Sequence, residues 1–425
     1  MADALPDPAD SGKPVPEGLS IRANMLWNSA GSMTYLVFQW LMTVLVVKLS
    51  DDYEAAGVLA LAMAVFNIFQ PLAIYRMYTY QVSDIRRENS VGEYVAFRLA
   101  TAGAALVGCV VYAAITAPQA ILAITLYAIV KILSLVIDVL HGCDQLNGRM
   151  DYIGQSLMIQ GVFTFAAFVG IFGTTSSLEL AFVGMAVVTV AIGFLFDLPR
   201  TRQFGPIRVR ITRVKMLHLL AYCLPIVIAA IAVATAPSVP RQYLAHLEGA
   251  SALGIYASVA APIAVIQMGA SYIYNPLLSV FSAAFLERRI SDLVRAFRKV
   301  VLGIMAIGVL AAAFFQLAGP TLLPLIFDES IREYTYLLLP IIVNTVVSAY
   351  VWFFSDLLVA LREFKASFIG NVVSVLVALP ASYFFVREWT MNGVSFTGIL
   401  ASGVGAAIML GHLMILFRRL GTEQE

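Results

Sequence analysis

Charge is scarce in this chain of 425 residues. Asp, Glu, Lys and Arg make up 12% of it, about half the roughly 25% of soluble domains. With 60% hydrophobic residues and a mean hydropathy of +0.86, that scarcity excludes an ordinary soluble fold. Cysteine is rarer still: Cys109, Cys143 and Cys223 lie in or beside apolar stretches with no paired spacing, which excludes a disulfide framework or a cysteine metal set. No cofactor and no metal is expected. The net charge of +1 conceals a strong asymmetry described below, and no nucleic-acid partner is expected. The first 20 residues, rich in Pro, Asp and Gly, lack the apolar core of a cleavable signal and read as a disordered cytoplasmic tail.

What the chain has is long apolar runs. A helix crossing the hydrocarbon core needs about 20 predominantly apolar residues. The runs place spans at 25–48, 57–82, 94–115, 119–142, 156–174 and 178–197, then at 217–238, 252–277, 296–318, 336–358, 367–386 and 393–417. Only Thr116-Ala117-Pro118-Gln119 separates the third from the fourth. Basic residues test that turn, because positive charge is retained in the cytoplasm during insertion. Lys13 and Arg22 precede the first span; Arg86, Arg87 and Arg98 follow the second; Arg149 follows the fourth. Arg200, Arg202, Arg208, Arg210, Arg213 and Lys215 follow the sixth, and Arg288, Arg289, Arg295, Arg298 and Lys299 the eighth. Arg362 and Lys365 follow the tenth, and Arg418 and Arg419 close the chain. Thus 21 of the 27 Lys and Arg fall in alternate gaps, while the other gaps hold one each, Lys48, Arg241, Arg332 and Arg387. Without a turn at Pro118 the alternation collapses. Twelve spans with both termini cytoplasmic are therefore expected.

The basic linker 199–216 divides the spans into lobes at 21–198 and 217–418, with 419–425 as a C-terminal cytoplasmic tail. A weak repeat links EAAGVLALAMAVFNIFQPLA in the second span to SALGIYASVAAPIAVIQMGA in the eighth, opened by Gly57 and Gly254. Each half has an even number of spans, so the repeat is parallel. The expected fold is an all-α polytopic membrane protein, twelve transmembrane helices in two six-helix lobes around a central cavity, a common transporter plan.

The remaining cations, Arg76 and Lys131, lie inside expected spans. An ionisable group in the hydrocarbon costs about 2.5–3.5 kcal/mol on insertion scales, so it usually faces a cavity or a partner. Tyr127, Lys131, Ser134, Asp138, His141 and Gln145 follow one another by three or four residues and share one helical stripe. Such a stripe either lines water or a polar ligand, or forms a seam between packed helices with Asp138 neutralised by a neighbour. Asn24, Asn28, Gly31, Tyr35 and Gln39 form a looser stripe on the first span, as do Gln267, Ser271 and Tyr274 on the eighth and Asn344, Ser348, Ser355 and Asp356 on the tenth. Arg76 follows Pro71, which should bend its helix, and sits among Tyr75, Tyr78 and Tyr80. It either faces a sugar or anion beside those rings or snorkels to the headgroups. Asp138, Asp356 and His141 are the candidates for ion coupling or charge balance.

The stretches NMLWNSAGSMTYLVFQWLMTVLVVKLS, EAAGVLALAMAVFNIF and YTYQVSD resemble the polysaccharide biosynthesis (Wzx-type) flippases, of the superfamily that also holds the drug/sodium antiporters and the lipid II flippases. The match is densest in the first two spans and carries no short diagnostic signature. The resemblance implies a transporter of the bacterial cytoplasmic (inner) membrane that flips a polyprenyl-pyrophosphate-linked oligosaccharide by alternating access. Membrane lipid and glycan-assembly proteins are then its expected partners. It also implies that first-lobe cations meet the ligand's phosphates or acidic sugars, a role open here to Arg22, Arg76 and Lys131, with Asn24, Asn28, Tyr35, Tyr80, Tyr127 and Ser134 as further contacts. Lipid II flippases carry additional cavity arginines, including on the eighth span, where this chain has none.

Two other readings compete. A drug/cation antiporter has the same architecture with a cationic cargo. An integral-membrane polysaccharide-assembly enzyme needs an organised acid, base or nucleophile, and Asp51, Asp52, Glu54, Asp328, Glu329 and Glu333 read instead as solvated loop carboxylates. No catalytic residue is expected.

Overall fold

The computed structural model describes residues 17–50, 52–84 and 87–422. Residues 1–16 and 423–425, which make up most of the two expected tails, lie outside the described residues, as does Arg86. The described chain has no strand. Its helices are α1 (Ile21–Lys48), α2 (Glu54–Ile74), α3 (Met77–Ser83), α4 (Val91–Thr116), α5 (Ile121–Leu146), α6 (Met150–Thr175) and α7 (Leu178–Ile192). They continue with the short α8 (Leu198–Thr201), α9 (Arg213–Ile263), α10 (Val265–Tyr274), α11 (Leu278–Leu286), α12 (Ile290–Ile326), α13 (Leu338–Ala360) and α14 (Phe364–Thr422).

Among the described residues, ten helical stretches are long and apolar enough to cross a membrane. Two of them run for 61 and 57 residues. At 1.5 Å per residue each would measure some 90 Å, far beyond a hydrocarbon core of about 30 Å. Each is broken by a non-helical residue, Gly249 (φ 88°) inside α9 and Thr390 (φ 45°) inside α14, and the longer stretch also takes in α10 and α11. Counting each as two crossings accounts for the twelve expected. The doubtful turn is present: α4 stops at Thr116, Ala117 is extended (φ −149°), and Pro118–Ala120 make one 3₁₀ turn before α5. Pro118 takes the first position of that turn, where no backbone donor is needed.

The seventh span differs from expectation. A span at 217–238 leaves Arg241 in an external loop. Instead α9 continues as helix through both prolines to the break at Gly249. Membrane helices tolerate proline because neighbours re-satisfy the freed carbonyls, whereas Gly249 sits at a positive φ that glycine adopts without strain. Arg241 therefore lies eight residues, about 12 Å, inside the helix from that break.

Contacts divide the chain into two compact units: residues 1–49 with 69–228, and residues 50–68 with 229–425. This division differs from lobes drawn by counting spans. The first part of α2 groups with the second unit, and the first part of α9 with the first unit. In the first unit α1 lies along α6, and α5 packs against α3, α4, α6 and α7. A Cβ on Gly31 would fall on the backbone of Gly154, so the α1–α6 approach needs small residues at that point. Ser90 caps α4 in a reciprocal capping box with Glu93. Gly18 and Leu19 are held against the α5–α6 loop, with the Leu19 amide donating to the Gly148 carbonyl at 2.9 Å.

In the second unit α13 packs along α14 and against α10 and α12. Phe281, Phe297, Phe353, Phe354 and Tyr274 form its aromatic centre. At the end of the unit that holds the Gly249 break, α2 meets α9 through glycine. A Cβ at Gly57 would fall on the Ala250 carbonyl, and one at Gly254 on the Tyr53 carbonyl. The Tyr53 ring is buried beside this contact, and that burial pushes its hydroxyl pKa up.

Gly254→Val should overpack this contact and destabilise the protein by about 1–3 kcal/mol, read as a lower midpoint in thermal unfolding of the detergent-solubilised protein. Gly103→Val is the control, because a Cβ there meets nothing within 4 Å. Equal midpoints for the two variants would show that the α2–α9 approach is not tight.

Candidate functional site

Helix α5 carries the polar stripe expected of it, and each member finds a different neighbour. Lys131, half-buried near mid-helix, donates from Nζ to Gln39 Oε1 of α1 at 2.8 Å. The same ammonium stands 5.4 Å from the Tyr127 ring centroid and 6.0 Å from that of Tyr35, within cation–π range. Tyr127 is buried with its ring edge-on to Phe182 of α7, 5.6 Å between centroids. One ammonium is thus held by an amide oxygen and two aromatic faces. The loose stripe of α1 supplies two of these partners: Tyr35 was an expected contact, while Gln39, one turn further on, was not singled out.

Asp138 was expected to balance Lys131 or serve coupling. It is paired instead with Arg98 of α4, Nη2 to Oδ2 at 3.4 Å. Arg98 was counted among the residues of a cytoplasmic gap; in the structure it is fully buried. The capping box starts α4 at Val91, which puts Arg98 about 10 Å inside the helix. Its Nη1 also donates to the Ala73 carbonyl at 2.9 Å, an acceptor shared with Thr101. That carbonyl lies just before the break between α2 and α3, where Tyr75 and Arg76 both adopt positive φ (48° and 55°). Pro71 therefore does not mark the bend itself; the helix breaks four residues later.

The C-terminal end of the stripe is sealed into the fold. Buried His141 reaches Asp197 Oδ1 at 3.2 Å through Nε2. Asp197 closes a π-helical turn, Gly193–Asp197, after α7. Asp144, not singled out in the sequence, is fully buried and accepts from Thr201 Oγ1 at 3.2 Å. Gln145 Oε1 accepts from Tyr78 at 2.5 Å, and Ser134 donates to the Val130 carbonyl of its own helix at 3.3 Å. Beside this region Arg149 forms a bidentate pair with Asp151 at 2.8 and 2.9 Å. That hydrogen bonding holds the Arg149 pKa above the usual arginine value.

The other expected site residues are placed apart from Lys131. Arg76 is exposed at the helix break. Its neighbouring tyrosines turn to separate partners: Tyr75 donates to the Leu220 carbonyl and packs on Phe97, and Tyr80 lies near the rings of Tyr94 and Tyr222. Arg22 is exposed and Asn28 half-buried at the start of α1. Asn24 has a structural task, donating to the Leu19 carbonyl and accepting from the Met150 amide. Asp356, in the second unit, is exposed and accepts from Tyr274 at 3.0 Å. The structure thus brings together Lys131, Tyr127, Tyr35 and Gln39. The three cysteines are free and buried, and no described group of acidic, histidine or cysteine residues has the spacing of a metal site.

Removing one partner of a buried ion pair leaves the other charge stranded. Arg98→Ala should cost on the order of 3 kcal/mol, whereas Arg98→Ala combined with Asp138→Asn should recover a clear part of that loss in thermal unfolding. Additive losses in the double variant would show that the two side chains are not coupled.

No protein-family model and no curated protein matches the sequence. Solved structures do match along nearly the whole chain. The lipid II flippase MurJ in an inward closed conformation superposes with TM-score 0.70 at 10% identity, over 93% of this chain and 90% of that one. An inward-facing multidrug resistance MATE family transporter of the MOP superfamily gives TM-score 0.71 at 16% identity, over 94% and 99%. A MOP superfamily transporter from Pyrococcus furiosus, whose binding pocket is described as having reverse polarity, gives 0.58 at 16%, over 93% and 95%. At such identities the likeness is one of fold: this chain has the polytopic membrane fold seen in these MOP-superfamily transporters and in MurJ.

Proposed function

We propose that this protein flips a polyprenyl-pyrophosphate-linked oligosaccharide across the bacterial cytoplasmic membrane by alternating access, with both termini cytoplasmic, for surface polysaccharide assembly. The observation that carries this reading is the electrostatic state of Lys131. Its partners are a neutral amide and two neutral rings, and the nearest carboxylate on its own helix face, Asp138, is engaged by Arg98. The ammonium is half-buried on a helix long and apolar enough to cross a membrane. Such a site favours an anion, and charge-assisted hydrogen bonds to phosphate are the strong ones. The aromatic faces of Tyr35 and Tyr127 suit the apolar face of a sugar ring, while the lipid tail can remain in the bilayer throughout. Glycan-assembly proteins would supply the cargo and receive it.

A drug/cation antiporter shares the fold, as the MATE structures illustrate. A cationic cargo meets repulsion at an uncancelled ammonium, so that reading is disfavoured. Of the loop carboxylates expected to be solvated, Asp52 accepts from the Glu54 backbone amide and Asp328 from the Ser330 amide.

Hydrogen bonds to charged groups are worth about 1.5–3 kcal/mol, or about ten- to a hundredfold in an equilibrium constant. Lys131→Ala should therefore lower transport of a fluorescent polyprenyl-pyrophosphate oligosaccharide in proteoliposomes by about that factor, with membrane abundance unchanged. Lys131→Arg should retain most activity, and Gln39→Ala should cost less than Lys131→Ala. Unchanged transport in Lys131→Ala would overturn the proposal. Export of a cationic dye that is lost in the same variant would favour the antiporter.

A further inference from the structure

The chain that joins α8 to α9 carries charge of one sign only. From Leu198 to Leu247 it contains no Asp or Glu, while Arg200, Arg202, Arg208, Arg210, Arg213 and Lys215 crowd its first part. Two of these six are engaged in the fold. Arg200 lies over the Phe196 ring at 3.5 Å, and Lys215 pairs with Glu93 Oε1 of α4 at 2.8 Å. Arg202, Arg208, Arg210 and Arg213 are exposed and, among the described residues, have neither an ion pair nor a side-chain hydrogen bond.

This segment is fixed at the level where two helices begin. Lys215 and Glu93 are the third residues of α9 and α4, so their ion pair sets the two helix starts side by side. The Lys215 ammonium also donates to the Glu88 carbonyl, just before the α4 cap, at 3.2 Å. The Arg208 backbone crosses the first turn of α4, where a Cβ on Gly92 would fall on the Arg208 carbonyl. Helix α4 is long and apolar enough to cross a membrane, so its first turn marks the boundary between hydrocarbon and headgroups. Arg208, Arg210 and Arg213 therefore stand at headgroup depth. Beneath them α9 presents an apolar face. Val214, Leu217, Leu224 and Ile228 follow at helical spacing on one side of the helix, and all are exposed. Val214 and Leu217, next to Arg213, are 80% and 66% exposed. Val209, between Arg208 and Arg210, is exposed as well.

We propose that the segment Arg208–Arg213, with the first turns of α9, is a docking surface for an anionic phospholipid of the bilayer, held as a boundary lipid and not carried as cargo. Unpaired arginines at the head of an exposed apolar stripe match both parts of such a lipid, the anionic headgroup above and the acyl chains below. The planar guanidinium forks suit phosphate oxygens. No carboxylate in the segment cancels them, and Glu93 is taken by Lys215. A lipid bound there ties the start of α9 to the membrane surface. The inference does not involve Lys131, so it stands or falls apart from the cargo proposed above.

The test uses the full-length protein in phosphatidylcholine nanodiscs into which phosphatidylglycerol is titrated. Phenylglyoxal labelling of Arg208, Arg210 and Arg213, mapped by mass spectrometry, should fall as phosphatidylglycerol rises and recover at high salt. A basic residue beside an anionic surface contributes about fivefold to binding. A fluorescent phosphatidylglycerol should therefore bind roughly 25-fold more weakly to the Arg210→Gln, Arg213→Gln double variant, while Lys131→Ala leaves its binding unchanged. Labelling indifferent to phosphatidylglycerol, or lowered as much by zwitterionic phosphatidylethanolamine, would overturn the inference. So would protection by polyprenyl phosphate alone, which would assign the arginines to cargo. Protection that rises with protein concentration in lipid-free detergent would assign the surface to a second copy and overturn it too. The labelling is read on the unmutated protein, so it needs no variant to fold.

Discussion

The pair between Arg98 and Asp138 determines what the rest of the first unit can do. It joins α4 to α5 inside the bilayer-spanning part of both helices, and Arg98 also ties α4 to the Ala73 carbonyl at the end of α2. A fully buried guanidinium without a counter-charge would be expelled or would draw water inward. Asp138 prevents that, and in doing so it is withdrawn from the rest of the α5 stripe. Lys131 lies seven residues from Asp138, about 10 Å along the axis. It is left to neutral partners, so the preference for an anion proposed for the Lys131 site follows from an ion pair two turns away.

Helix α5 therefore does two jobs along one face. Toward its C-terminal end, Asp138, His141, Asp144 and Gln145 reach Arg98, Asp197, Thr201 and Tyr78 and bind four neighbouring elements to it. Near its middle, Lys131 meets Gln39 and the rings of Tyr35 and Tyr127 and remains half-buried. The packed-seam reading holds for the C-terminal part of the stripe, while the Lys131 part is not closed over. A periodic pattern specifies the face on which residues lie; it does not specify where along that face a neighbour comes close enough to close it.

The same distinction separates what was legible in the sequence from what was not. Span number, the Pro118 turn and the all-helical class follow from apolar run length and loop charge, which are local properties. Tyr35, Tyr127 and Lys131 were legible as stripe members because helical spacing is local too. Arg98 was not, because its partner is 40 residues away and because Ser90 and Glu93 start α4 earlier than the apolar run suggests. Arg241 was missed for a related reason. Pro237 and Pro240 look like punctuation, yet a membrane helix can carry proline, and the chain turns only at Gly249. The αL pair at Tyr75 and Arg76 is likewise invisible in composition: it is held by the Tyr75 hydroxyl on Leu220 and its ring on Phe97, contacts that offset the strain of positive φ at two side-chain-bearing residues.

Moving Arg98 and Arg241 into the membrane leaves the topological argument intact, since one comes from each side of the charge count and the large excess in alternate gaps remains. It changes the functional argument more. The helices hold Arg98, Lys131 and Arg241 in their interiors where the sequence pointed to Arg76 and Lys131, and Arg76 is exposed at a helix break. Of these, only Arg98 has a carboxylate partner. A cation within the bilayer costs about 2.5–3.5 kcal/mol even on the lenient insertion scales, a sizeable part of the 5–15 kcal/mol by which folded proteins are usually stable. Arg98 offsets that cost by pairing and holding helices together. Lys131 meets the Gln39 amide and the Tyr35 and Tyr127 rings and has no carboxylate partner among the described residues; under the proposed function, the cost of placing that cation is offset when an anion binds beside it.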